Sequence, residues 1–356
     1  MKKYYLLSLL FLLLIAGCKK KDDSSTTTAT TTITEADVLN DFATVLVNPN
    51  YLDLREKSNL LNIAAQTLST STTPANLTAA QNAWRAVRVP WELSEGFLFG
   101  PVEDFNYDAA TDTWPVNTTE LDSLLASSDP LSLSDIDSLQ YSLKGYHPVE
   151  YLLFGVGGTK TAAQFNTRQL QYLTSLTQSL YNTTSQLYNS WALSQPGNFS
   201  QQLLTAGTGS TRFTSKKDAF ITIANAMVII CNEVANNKMQ VPLSAHDSTL
   251  VESQYAHNAT EDFKNNITGI QNAYLSKYNS TGRSLHDIVA SYDLSLDNTI
   301  RSQITTAIAS FSGINPDYGT AIFTQFGQIQ NAQNAINDLH NTLNLLNNFI
   351  QTNIHD

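Results

Sequence analysis

Two cysteines in 356 residues are too few for a disulfide framework. One of them, Cys231, lies in the apolar run Met227-Val-Ile-Ile-Cys231 and reads as core, which leaves no pair for a thiolate metal site either. Basic residues are scarce as well. Twenty against 31 acidic residues give a formal net charge of −11, which argues against nucleic acid as a partner and tolerates a cation or cationic ligand. Sustained period-two alternation is missing, so a sheet-built fold is not expected. The sequence also lacks the His-Glu-x-x-His and His-x-x-Glu-His zinc-protease patterns, the Gly-x-Ser-x-Gly elbow and the Gly-x-x-x-x-Gly-Lys phosphate loop. These absences remove the familiar hydrolase and nucleotide-binding machinery.

The apolar run from Tyr4 to Ile15 is too short to span a bilayer, and Lys2 and Lys3 before it give it the form of a signal peptide. It closes in Ile15-Ala16-Gly17-Cys18, which resembles the bacterial lipobox. Cys18 is therefore the expected lipidation site and first mature residue, with 1–17 as signal peptide and membrane attachment through the acyl chains. The charged run Lys19-Lys20-Lys21-Asp22-Asp23 looks like the export signals that carry some lipoproteins to the outer face of the outer membrane. An outer-membrane lipoprotein is the expectation, displayed at the surface or else held at the periplasmic face. Ser and Thr dominate 24–32, too polar to build a core, so 18–33 reads as a flexible tether.

From Thr34 onward apolar residues recur at helical spacing. Val38, Leu39, Phe42, Val45 and Leu46 form one stripe; Leu54, Leu61, Ala64 and Leu68 a second; Ala80, Trp84, Val87 and Trp91 a third. Residues 100–132 hold Gly100-Pro101, Trp114-Pro115 and Asp129-Pro130 without a sustained period, and read as a long structured loop. A long helix is expected over 161–191, followed by a polar stretch containing Gly207-Thr-Gly209. Further helical patterns fall at 216–239, 258–279, 297–312 and 319–353. The mature chain exceeds the ~250–300 residues at which single cores stop growing. The expected architecture is all-α: an N-terminal helical bundle over 34–195, a linker over 196–215 and a C-terminal bundle over 216–356.

The most suggestive constellation is Gly145-Tyr146-His147-Pro148-Val149-Glu150. Pro148 suits the first turn of a helix, which puts His147 at or near the N-cap and Glu150 at the third helical position. The two side chains then share one turn and could converge on a metal ion, although iron or zinc needs roughly four to six ligands in all. Equally, Glu150 could cap free N–H groups while His147 bonds locally. Upstream, Arg85, Arg88, Glu92 and Glu95 fall at i, i+3, i+7 and i+10 of the third helix. Interleaved with Trp84 and Trp91 and followed by glycines, they fit either a solvated face or a partly buried site. His246, His286, His340 and His355 read as ordinary surface histidines.

Taken in order, Trp84…Arg88…Trp91…Glu95, Gly145-x-His147-x-x-Glu150, Glu233…Lys238…Pro242-Leu243, Glu252-Ser253-x-Tyr255-x-His257-Asn258 and Asp262…Asn265-Asn266-Ile267 resemble the imelysin family. That family includes iron-regulated surface lipoproteins and an insulin-cleaving membrane protease, and is related to the periplasmic component of a ferrous-iron uptake system. The resemblance implies two helical bundles related by distant duplication, with a site near their junction. It implies a metal-binding role for His147 and Glu150, a turn at Gly145, and polar site positions at Arg88 and Glu95. Glu252, Ser253, Asp262 and Asn265 match its second-domain block, for ligand binding or for pinning the domains together.

The expected function is a metal-linked binding protein in iron acquisition at the cell envelope. His147, Glu150 and Glu95 would hold iron or zinc, and Arg88, Glu252 and Ser253 would contact a ligand. The alternative is a metallopeptidase in which Glu150 or Glu95 activates a metal-bound water. A third reading, a module for a haem protein or siderophore, would rely on the 100–132 segment.

Overall fold

The computed structural model describes residues 33–355. Cys18, the signal segment and almost all of the expected tether lie outside them. The described residues form one compact, all-helical unit, with an isolated bridge between Lys277 and Thr281 as their only β pairing. Apolar side chains at i, i+3 and i+4 spacing account for the main helices. Asn48–Thr70 buries Tyr51, Leu54, Leu61, Ala65 and Leu68; Pro74–Ser94 buries Leu77, Ala80, Trp84, Val87 and Trp91. Thr167–Trp191 packs along the first of these. After residue 215, Lys216–Glu233 and Leu294–Ser310 each pack along Phe326–Asn353 in the same way.

The two helix sets share one continuous core. The Ala259–Leu275 helix of the second set lies across Pro74–Ser94 of the first, and Gly96 and Gly269 mark the crossing. A β carbon built on Gly96 would sit 2.5 Å from the Gly269 carbonyl carbon, so backbones touch there and no larger residue fits. The 196–215 stretch expected as a linker carries the short Ser200–Leu204 helix and buries Phe199, Leu203 and Phe213 in the shared core. Its polar, glycine-containing sequence conceals these apolar anchors.

The 100–132 segment is less loop-like than its sequence implies. It forms short helices at Pro101–Asp104, Tyr107–Asp112 and Thr118–Ala126, too brief to leave a readable period. Leu285–Tyr292 is an additional helix, opened by a Ser284–Asp287 capping box. Two π-helical turns interrupt the regular pattern, at Phe42–Val47 and at Val234–Lys238. The second delivers Lys238 into the interior.

Candidate metal centre

The junction between the two helix sets is lined by charge. Arg88, Glu92 and Glu95 come from the end of the Pro74–Ser94 helix and the turn after it, and Asp112 closes the Tyr107–Asp112 helix. His147 and Glu150 come from Tyr146–Phe154, Lys238 from the π turn, Glu252 and Ser253 from the 251–258 segment, and Asp262 and Asn266 from Ala259–Leu275. All are buried. The upstream stripe is therefore an interior face, with only Arg85 reaching partly to solvent.

Local sequence explains the placement. Gly145 has φ +89°, a conformation favouring glycine, and a β carbon there would lie 2.3 Å from the Thr111 carbonyl oxygen. The chain can thus pass directly beneath the helix that ends in Asp112. Gly145 serves as N-cap, so the helix starts at Tyr146. His147 and Glu150 are the second and fifth helical residues, two positions deeper than the Pro148 signal suggests, and Glu150 is not a capping residue.

The arrangement around Glu150 decides its role. One carboxylate oxygen accepts from the backbone N–H groups of Tyr255 and Ala256, each at 2.8 Å. The other lies 3.0 Å from His147 Nδ1. Both oxygens are occupied, so Glu150 orients the imidazole with Nε2 turned towards the buried carboxylate of Asp112. Nε2 sits 3.1 Å from Asp112 Oδ1 without hydrogen-bond alignment and has no hydrogen-bond partner. Among the described residues, ligand atoms of Asp112, His147 and Glu252 converge within 4.8 Å of one another. Two further convergent sets, Glu92–Glu95–Asp112 and Glu92–Glu252–Asp262, overlap with it.

The i, i+3 spacing thus brings His147 and Glu150 into contact, with both Glu150 oxygens engaged by hydrogen bonds. Glu95 is engaged by Lys238, whose Nζ is 3.2 and 3.3 Å from its oxygens and 3.1 Å from Glu252 Oε2. Arg88 lies at the centre. Its guanidinium pairs with Glu92 and Asp112 in close contacts and reaches Glu252 at 2.8 Å and Asp262 at 3.5 Å. Ser253 Oγ donates to Asp262 at 2.6 Å, so it braces a carboxylate, and Asn266 Nδ2 donates to Glu92 at 2.5 Å. Asn265 is buried nearby on the same helix. Asp112, held also by Trp91 Nε1 at 2.6 Å, is the residue that sequence reasoning missed.

Six buried carboxyl groups, Glu92, Glu95, Asp112, Glu150, Glu252 and Asp262, face two permanent cations, Arg88 and Lys238. Burial makes that imbalance costly, and Glu92, Glu95 and Asp262 reflect it. Desolvation holds Glu92 and Glu95 well above the usual carboxylate range and lifts Asp262 to about 6, despite Arg88 beside Glu92 and Asp262 and Lys238 beside Glu95. Asp112 goes the other way: burial opposes its charge, but Arg88 and His147 outweigh burial and lower it. For His147 burial disfavours the cation, yet the carboxylates of Asp112 and Glu150 raise it to about 10. The site thus holds protons where its fixed cations fall short.

Such a donor set fits a metal ion. An imidazole oriented by Glu150 and two carboxylates make a mixed nitrogen and oxygen set of the kind that takes iron or zinc, where an ion would displace the Nε2 proton and loosen the Arg88 and Lys238 pairs on Asp112 and Glu252. An ion there would take the place of protons that the site otherwise holds.

The imelysin family profile matches residues 47–346. The chain belongs to the imelysin family. A relative among characterised proteins, "Iron-regulated protein A" of Synechococcus elongatus, is 32% identical over 238 residues, covering 66% of this chain and 63% of that protein. The chain therefore spans less than two thirds of that relative's length. Among solved structures, a provisionally named iron-regulated protein A precursor from Parabacteroides distasonis ATCC 8503 is 26% identical, with a TM-score of 0.81 over 88% of this chain and 94% of that one. An imelysin-like protein from Psychrobacter arcticum 273-4, 15% identical, shares the fold with a TM-score of 0.67 over 89% and 93% of the two chains.

Proposed function

We propose that this imelysin is an envelope lipoprotein that binds a metal ion, iron foremost, at the junction site and serves iron acquisition. One observation carries the reading: Asp112, His147 and Glu252 converge, with the imidazole oriented by Glu150. Asp112, His147 Nε2 and Glu252 would hold the ion, and Glu150 would fix the tautomer. Arg88 and Lys238 pair with Asp112, Glu252 and the carboxylates beside them, and Ser253 braces Asp262, which supports a role for Arg88, Glu252 and Ser253 within this charge network. The name of the Synechococcus relative, iron-regulated, supports iron over zinc. Anchoring through Cys18 extends the reading to the membrane.

No observation favours the peptidase reading. Both candidate general bases are engaged, Glu150 by His147 and two backbone N–H groups and Glu95 by Lys238. The test is calorimetric titration of ferrous ion and zinc into the wild-type chain and into Asp112→Asn, His147→Ala and Glu252→Gln. Each variant is expected to bind at least ~10-fold more weakly, about 1.4 kcal/mol, with helical content retained. Unchanged affinity in all three would remove this centre as the metal site.

A further inference from the structure

Resting on the metal reading of the junction site, we propose that the turn Ser253–His257 is the gate through which the ion enters and leaves, with Glu150 as its latch. The turn reaches from buried Glu150 to the surface, where His257 is exposed. Tyr255 joins the two levels: its amide N–H bonds to buried Glu150, and the residue borders two surface cavities of about 460 and 490 Å³. Val156, Thr249 and Gln254 border both cavities too. Glu252, one of the three convergent ligands, directly precedes the turn, so opening would withdraw a ligand and uncover the others together.

The closed turn is strained and held by polar contacts. Ser253 and His257 have φ +51° and +52°, left-handed backbone that residues with a β carbon seldom adopt. Asn258 N–H donates to the Ser253 carbonyl at 3.2 Å and closes the loop over them. Opposing the strain are the two N–H bonds to Glu150, the Ser253 hydroxyl on Asp262 and an Arg85 Nη2 bond to the Ala256 carbonyl at 3.1 Å. Backbone strain of this kind clusters at switch segments, and release of these hydrogen bonds would give the turn its proposed open state. Glu150 ties them to ligation, since the carboxylate that holds the turn also orients His147.

The test exploits φ at His257, which lies outside the ligand set. His257→Gly and His257→Val delete the same imidazole, but glycine favours the left-handed closed state and valine disfavours it. Hydrogen exchange at the Tyr255 and Ala256 amides is measured in both variants, together with stopped-flow uptake of aqueous cobalt(II) followed by its visible absorption. The valine variant is expected to exchange and to take up cobalt roughly tenfold faster than the glycine variant, in line with the ordinary left-handed penalty. Equal uptake rates despite different exchange would mean that the ion enters elsewhere, and equal exchange would mean that the turn has no strained closed state. Both results overturn the gate. Wild-type protein that binds no cobalt would instead overturn the metal reading itself.

Discussion

Glu150 illustrates what a residue's spacing can and cannot say. The i, i+3 separation from His147 makes contact between them predictable, but whether Glu150 ligates or supports depends on the Tyr255 and Ala256 amides, more than a hundred residues away. Asp112 was illegible for the same reason: its partners Arg88, Trp91 and His147 are scattered, and its own segment has no period. Glu150→Gln should lower metal affinity by roughly 10-fold or more while the metal still binds, because support and not ligation is lost; titration against His147→Ala ranks the two. Arg88 touches four carboxylates and is fully buried, so Arg88→Met strands them. Chemical denaturation should show a loss of about 3–5 kcal/mol. A loss under about 1 kcal/mol would mean that protons alone balance the cluster.

At the scale of elements, long helices were readable from apolar periodicity and short ones were not. Thr167–Trp191 and Phe326–Asn353 each carry several turns of inward stripe, whereas Tyr107–Asp112 has fewer than two turns and is held by tertiary contacts. The glycine crossing of Pro74–Ser94 and Ala259–Leu275 was invisible too, because a glycine in sequence does not announce what approaches it. Gly269→Ala would place its β carbon 2.5 Å from the Leu93 carbonyl oxygen and should destabilise by roughly 1–3 kcal/mol. Gly327→Ala, in open space within the last helix, should instead stabilise by about 0.5–1 kcal/mol. Thermal melts of the pair test whether close backbone approach fixes the junction.

Across the whole molecule, ion pairs fasten the Glu35–Asp41 helix to the second helix set. Arg283 meets Asp41 at 2.8 Å and Asp37 at 2.5 Å, and the hydrogen bond from Arg283 lowers Asp41 to about 2. A depressed carboxylate stabilises the fold above its unfolded value near ~4 and loses that contribution as pH falls towards 2. Arg283→Met should therefore flatten the acid limb of a stability–pH profile between about pH 4 and 2, and an unchanged limb would show that the pair is inert. Membrane attachment belongs to this scale as well: Cys18→Ser should release the protein from membranes, and continued partitioning of that variant would end the lipoprotein proposal. The fold class was legible because helical periodicity pervades the chain, whereas the junction site depends on contacts between residues far apart in sequence. The central claim rests on that site. Metal-edge X-ray absorption of the iron-loaded protein should show mixed nitrogen and oxygen ligation with an imidazole signature that disappears in His147→Ala; an unchanged spectrum in that variant would contradict the account.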